Sequence, residues 1–395
     1  MRPPWLLLLA STLLLSSQHT STYAQTPPPT AFTPTPVYYS QSVFIPHQKL
    51  FIHGGTTNEG AQPISQTFYI DLSQKWPASK PIYGKLVDGT AAMGTTTTLS
   101  NSFWYSFYQS SAFKININSG AWESLPPPKD LGTRDDLPAV TDPAANQIYI
   151  LNGYAVGNVI QGTIRFDTTT ILSSNGSQLA PRLGGFTTTW STVTKGAIVF
   201  GGYNLDGFGV PVTEKTMYNY IPIGDITNKI FNASDSGESP AARFDHCMVE
   251  AYNGTKMILF GGYEKPGRFL NDIYILDVAT LKWTKGTPGG PTVARRRASC
   301  AVTNDYFVVW GGAVPDPISS TMTALSQNVT LVYNLVTNQW VDEYSPDPYV
   351  PPPPAVTAVT PPSGTGTENG SNPTGTGTGI DTGSNGNSSL DGSLE

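Results

Sequence analysis

Residues Lys256–Tyr263 read KMILFGGY, a mostly apolar run that stops on two glycines and a tyrosine. Glycine is poorly suited to hold a strand, so one such stretch means only a strand ending in a turn. The stretch recurs, however. KLFIHGG ends at Gly55, QIYILNGY at Tyr154, AIVFGGY at Tyr203 and YFVVWGG at Gly312. Aligned on the glycines, the chain has a period of about fifty residues, which marks a structural repeat.

Each unit has four parts. In the clearest one, His246–Tyr252 predicts a first strand, Asn253-Gly254 a tight hairpin turn, and KMILFGG a second strand. A polar loop leads to a third strand at Asp272–Val278, and Trp283 marks a fourth. Third strands are also expected at Thr67–Leu72, Ala112–Ile117, Thr163–Asp167, Thr216–Tyr220 and Thr330–Leu335, with fourth-strand tryptophans at Trp76, Trp122 and Trp340. Units three and four lack that tryptophan, and unit two carries SFYQ (Ser106–Gln109) in place of the glycines.

The pattern resembles the kelch repeat from Tyr38 to Tyr344. The resemblance implies four-stranded blades set radially around a channel, which leaves only short, protected edges. The units are in frame from first strand to fourth, so the expected fold is an all-β, six-bladed propeller, with seven blades as the fallback. A blade's second strand is covered on both faces, which accounts for the near-continuous apolar run. The glycines then serve a sharp turn where blades crowd, not phosphate binding.

The rest of the chain reads as address and spacer. Arg2 precedes the apolar run Trp5–Leu15, and Thr22 and Ala24 fit a small-residue cleavage site, so residues 1–24 are expected to be a signal peptide. That run is short for a membrane span, an uncleaved anchor being the alternative. A linker (25–36), the propeller (37–345) and a tail (346–395) follow. The tail opens with prolines, including Pro351–Pro354, and continues in Gly, Ser, Thr, Asn and Pro. It cannot bury enough apolar surface to offset its chain entropy and is expected to be a disordered, O-glycosylated spacer without a hydrophobic end. A secreted protein is implied, with Asn175, Asn232, Asn253, Asn328, Asn369 and Asn387 as N-glycosylation candidates. The net charge of -6 gives no reason to expect nucleic acid.

In an antiparallel blade the loops after the glycines lie beside the connections between blades. Those loops are long (56–66, 203–215 and 313–327), so this face is the expected binding face. Arg134, Arg182, Arg243 and Arg296, with Arg297 adjacent, align just ahead of four first strands on the same face. They suit an acidic peptide or glycan; equally, each can pair with an acid such as Asp135, Asp136 or Asp245. Tyr154, Tyr203 and Tyr263, just after the glycines, are surface candidates.

The resemblance also raises a galactose-oxidase-like copper radical oxidase, a carbohydrate-active oxidoreductase, as the alternative function. After signal removal the histidines are His47, His53 and His246, and no two are spaced to share a metal. Cys247 and Cys300 fall at equivalent first-strand positions, and both a disulfide and free thiols stay open. No cofactor and no catalytic residue is expected. The leading reading is a non-catalytic module for an unidentified protein or carbohydrate ligand.

Overall fold

The computed structural model describes residues 32–348, apart from 95–96, 135, 137, 152, 156–157, 160–161, 176–182, 205–209, 212–215, 221–228, 233–237, 265–266 and 317–320. The expected signal peptide, nearly all of the tail, Arg182, Asn369 and Asn387 lie outside the described residues. Among those residues, six four-stranded antiparallel sheets follow one another along the chain. Their innermost strands are Gln41–Ile45, Thr97–Ser100, Ala139–Asp142, Thr187–Ser191, Cys247–Ala251 and Ser299–Thr303. The sheets are the blades of an all-β propeller, numbered here from the N-terminus.

Blade five shows why KMILF is apolar throughout. Its second strand, Lys256–Phe260, pairs with Cys247–Ala251 on one edge and Ile273–Asp277 on the other. Successive side chains leave opposite faces of the sheet. Ile258 and Phe260 therefore pack with Phe307 and Val309 of blade six. Met257 and Leu259 pack with Ile198 and Phe200 of blade four. Burying each such side chain stabilises by about 1.5–3 kcal/mol. Similar apolar clusters fill the remaining gaps, including the one where Val308, Trp310 and Val332 of blade six meet Leu50, Ile52 and Phe68 of blade one.

The paired glycines make the joint between blades. The N–H of the second glycine donates to a carbonyl just ahead of the next blade's first strand. Gly55 reaches Ala92 O (2.8 Å), Gly202 Arg243 O (2.9 Å), Gly262 Arg295 O (2.9 Å) and Gly312 Val37 O (3.1 Å). The last of these joins blade six to blade one. The first glycines Gly54, Gly201, Gly261 and Gly311 have φ of 67–69°. A Cβ on Gly261 or Gly311 would stand 2.6 or 2.5 Å from the carbonyl oxygen of Arg295 or Val37. Unit two manages the same bond with Gln109, whose N–H reaches Arg134 O (3.0 Å) at a φ of 51°.

Two expectations change here. Trp76 is not in blade one's fourth strand, which is Tyr83–Lys85. Gly84 stands opposite Tyr69 in that strand and leaves its space to the Tyr69 ring. Trp76 instead pairs with Tyr344, at the end of the propeller, and their rings stack 4.6 Å apart.

The cysteines are not at equivalent positions either. Cys247 stands opposite Phe260, the last residue before its glycines, whereas Cys300 stands opposite Val309, one residue deeper. Equivalent residues point the same way around the ring and cannot face each other across a gap; a one-residue stagger turns one of them back. Cys247 and Cys300 form a disulfide with their Cα atoms 6.4 Å apart. Its sequence separation of 53 residues corresponds to roughly 4 kcal/mol in the chain-entropy account.

Alanine at Gly311 should destabilise the fold by roughly 2 kcal/mol or more, because it meets both the φ penalty and the Val37 carbonyl. A lowered urea midpoint at constant m checks this. A second expectation concerns His53, buried with Nε2 donating to Thr90 O (2.8 Å) and Nδ1 accepting from the Thr67 hydroxyl (2.9 Å). Burial holds its pKa down at about 4. The neutral form is the folded form, so the contribution is complete above the unfolded value near 6.5 and is lost as pH falls from there to about 4. The loss should amount to roughly 3 kcal/mol and should be absent in His53→Gln.

Candidate functional site

The long loops after the glycines are built as small hairpins standing on one face of the ring. Tyr263–Glu264 pairs with Arg268–Phe269, Ala313–Pro315 with Met322–Ala324, and Tyr203–Asn204 with Val210–Pro211. Blade one's loop braces the blade-six hairpin, with Glu59 N–H on Met322 O (2.9 Å) and Ala324 N–H on Thr57 O (2.8 Å).

Beneath the hairpins the channel mouth is a collar of backbone. Two residues beyond each joint carbonyl stand Tyr39, Gly94, Asp136, Gly185, Asp245 and Arg297, all with positive φ between 50° and 102°. The left-handed conformation turns the peptide groups so that they bond around the ring. Gly94 N–H reaches Tyr39 O (2.7 Å), Tyr39 N–H reaches Arg297 O (3.0 Å), Arg297 N–H reaches Asp245 O (2.8 Å) and Asp245 N–H reaches Gly185 O (2.8 Å). Side chains tie the collar further. Arg297 Nε donates to Asp245 Oδ2 (2.9 Å), and its guanidinium lies 3.9 Å from the centre of the Tyr39 ring. Burial pulls the Arg297 pKa down, but Asp245, Tyr39 and Asp136 outweigh it and hold the guanidinium charged, above its ordinary value.

The collar re-sorts the expected arginine ring. Arg243 and Arg295 are the equivalent pair, each four residues before its strand-entry residue and each fully buried. Arg243 is bidentate on Asp272, at 2.5 and 3.0 Å, and also donates to Gly261 O and Ala241 O. Among the described residues Arg295 has no carboxylate partner; it donates to the carbonyls of Val293, Gly311, Asn328 and Val329. Both therefore satisfy the carbonyl of the first glycine, which the turn aims inward. Arg243 is corrected from ligand candidate to structural plug. In blade four the equivalent residue is the buried Leu183; Arg182 lies outside the described residues.

Arg134 holds the equivalent place in blade three and is partly exposed; burial lowers its pKa and Asp130 opposes that. Arg296 lies one step further along. Its Nη1 stands 3.4 Å from Asp245 Oδ2, and its guanidinium is 4.9 Å from the Tyr263 ring and 5.6 Å from Phe269. Asp245, not Asp272, is thus the acid that serves Arg296 and Arg297 across the blade gap.

The sequence reading missed an aromatic row on this face. Tyr203, Phe244, Tyr263 and Phe269 run edge to face with centroids 5.1, 5.1 and 5.4 Å apart, and Arg296 lies over three of them. Tyr203, Tyr263 and Phe269 are partly exposed. Two of these tyrosines stood out individually as post-glycine residues; their alignment depends on Phe244 and on the blade-five hairpin, which the repeat does not encode.

The other expected site residues are dispersed. His47 bonds Thr303 across the blade-six gap, His53 lies between blades one and two, and His246 bonds Thr187 between blades four and five. They are not brought together. Asn175, Asn253 and Asn328 are exposed, as glycan acceptors must be; Asn232 ends a blade-four strand.

Comparison with known proteins agrees with this geometry. Residues 192–361 match the KLHDC2/KLHL20/DRC7 Kelch-repeats domain. Kelch domain-containing protein 3 of Homo sapiens is 33% identical over 131 residues, covering 32% of this chain and 33% of that protein. A Kelch repeat-containing protein of Arthroderma benhamiae is 31% identical over 116 residues, 26% of this chain and 17% of its own. The Rho GTPase-activating protein gacHH of Dictyostelium discoideum is 26% identical over 148 residues, 37% of this chain and 9% of its own. The chain thus spans a third or less of the length of these relatives.

Arg243→Ala should cost about 3–5 kcal/mol, because it strands the Asp272 carboxylate and the Gly261 carbonyl. Denaturant melts of the single variant against Arg243→Ala/Asp272→Ala should show the double variant recovering part of that loss.

Proposed function

We propose that the protein is a secreted, non-catalytic binding module that holds a protein or glycan partner on its long-loop face. The observation that carries the reading is the partly exposed row Tyr203–Phe244–Tyr263–Phe269 with Arg296 lying over it. Aromatic residues and arginine dominate the energetics of binding surfaces, because they bury large area at low entropic cost and recognise planar or acidic groups. On this reading Arg134 and Arg296 favour an acidic peptide or acidic glycan. The Cys247–Cys300 bridge supports an oxidising compartment, and the exposed Asn175, Asn253 and Asn328 fit N-glycosylation there. The tail then acts as a glycosylated spacer. No observation favours the oxidoreductase alternative: both cysteines are in the bridge, and His53 and His246 serve separate blade gaps.

The test is a binding screen of the full secreted chain against acidic and neutral peptide and glycan arrays, beside Tyr263→Ala/Phe269→Ala and Arg296→Ala. Salt-sensitive binding to acidic ligands that falls about tenfold or more in both variants supports the reading. Binding untouched by the aromatic pair moves the site off this face.

A further inference from the structure

Trp122, Trp283 and Trp340 hold the same rank in their fourth strands, opposite Ile115, Leu276 and Tyr333. Each plugs the gap to the preceding blade, against the last residue before that blade's glycines: His53 at 4.6 Å, Phe200 at 5.3 Å and Phe260 at 5.2 Å. In blade one the rank falls to Tyr83, opposite Ile70, and Trp76 stacks on Tyr344 instead. Tyr83 meets Trp310 of blade six through its hydroxyl, which accepts from the indole N–H at 3.3 Å. Blade six is short on its outer edge as well. The fourth strand of blade five continues to Lys285, opposite Tyr274, whereas that of blade six ends at Val341, opposite Val332. The chain then crosses to pair Glu343–Tyr344 with Trp76–Pro77 of blade one. Leu331, which holds the rank of Tyr274, has no fourth-strand residue opposite it among the described residues.

The two shortfalls leave a cleft of about 1130 Å³ across the outer edge of blade six. One wall is formed by Gly289, Gly290 and Val293 with Trp340, the other by residues 79–83 of blade one. Ile82 in that second wall is an exposed large apolar side chain, and Tyr83, Val329 and Trp340 are partly exposed. An open sheet edge flanked by apolar side chains is a place where chains associate unless something shields it. Asn328 stands in this cleft with the chemistry for such a shield. It opens the sequon Asn328-Val329-Thr330, it is exposed, and it lines the cleft. The exposed sequon residues Asn175 and Asn253 do not line it. The Asn328 carbonyl accepts from Arg295 Nη2 at 2.8 Å, so its backbone is held in place, at a φ of 50° that asparagine tolerates. Sugar rings offer C–H faces to apolar walls and hydroxyls to the free polar groups of a sheet edge. The cleft exceeds the roughly 300–1,000 Å³ of small-molecule sites, which leaves room for several such rings.

We propose that Asn328 carries an N-linked glycan whose core folds back into this cleft, covering the open edge of blade six and the apolar wall at Ile82. The glycan is attached in the secretory compartment from a lipid-diphosphate-linked oligosaccharide. The Asn328 Nδ2 bonds to the anomeric carbon of the first sugar, the sugar–phosphate bond breaks, the lipid diphosphate leaves and one amide proton is released. The inference rests on the secreted reading above and is independent of the partner on the long-loop face.

The experiment expresses the full chain through the secretory pathway of a eukaryotic host and assigns its glycopeptides by mass spectrometry. Release by peptide-N-glycosidase is then followed site by site, on folded and denatured protein, for the parent, Ile82→Ser and Ile82→Leu. Asn328 should be occupied. In the folded parent its glycan should be released about tenfold or more slowly than one on Asn175 or Asn253, because the enzyme acts on the fraction that has left the cleft. After denaturation the rates should agree. Ile82→Ser should raise the folded rate at Asn328 several-fold and leave the other sites unchanged, and Ile82→Leu should keep the parent's protection. An unmodified Asn328 beside a modified Asn175 or Asn253 overturns the proposal and leaves the secreted reading standing; if no sequon is modified, both fall. The proposal also fails if the folded parent releases its glycans alike, or if Ile82→Ser protects Asn328 as the parent does. Should neither Asn175 nor Asn253 be modified, the comparison of Ile82→Ser with the parent decides alone.

Discussion

The hydrogen bond from the second glycine of one blade to a backbone carbonyl ahead of the next is the constraint on which the rest of this structure depends. It can form only if the chain leaves its second strand in a left-handed conformation and passes within contact of the neighbouring backbone. Glycine meets both demands at once. The bond then fixes where the next blade begins. Two residues later the chain must turn left-handed again to enter its first strand, and those second turns form the collar. Joint, collar and inter-blade core are thus one geometry repeated, and each gap is covered because its neighbour is.

The joint also explains where the arginines go. The first glycine's carbonyl points inward, into a space that a donor can reach from four residues ahead of the strand. Arg243 and Arg295 fill that space and bond the carbonyls of Gly261 and Gly311. Val37 and Leu183 hold the same rank with apolar side chains. The position tolerates either solution because its main task, offering a carbonyl to the preceding blade, belongs to the backbone. Arginine adds a cross-link from blade entry to the third strand, through Asp272 in blade five and through the Asn328 and Val329 carbonyls in blade six.

The repeat was legible because it rests on backbone requirements that recur. Paired glycines, alternating apolar runs and turn residues each announce a local conformation. What lay beyond reach was register at the level of single residues. The triplet Arg295–Arg297 offers three arginines, and only the strand pairing tells that Arg295 matches Arg243 while Arg296 matches Phe244. The cysteines show the same limit. Aligned by eye they look equivalent, and that alignment hides the stagger that lets them face each other. Trp76 was misplaced because Gly84 and the Tyr69 ring take over the fourth-strand packing in blade one, an exchange across strands that no periodicity records.

Near the long-loop face the buried guanidinium groups are satisfied in two ways. Arg243 pairs with Asp272, and Arg296 and Arg297 share Asp245. Removing either partner of such a buried pair leaves the other stranded. Arg295 reaches the same end with the carbonyls of Val293, Gly311, Asn328 and Val329. What the blade entry requires of a buried guanidinium is therefore a full set of acceptors, which a carboxylate or the backbone supplies equally.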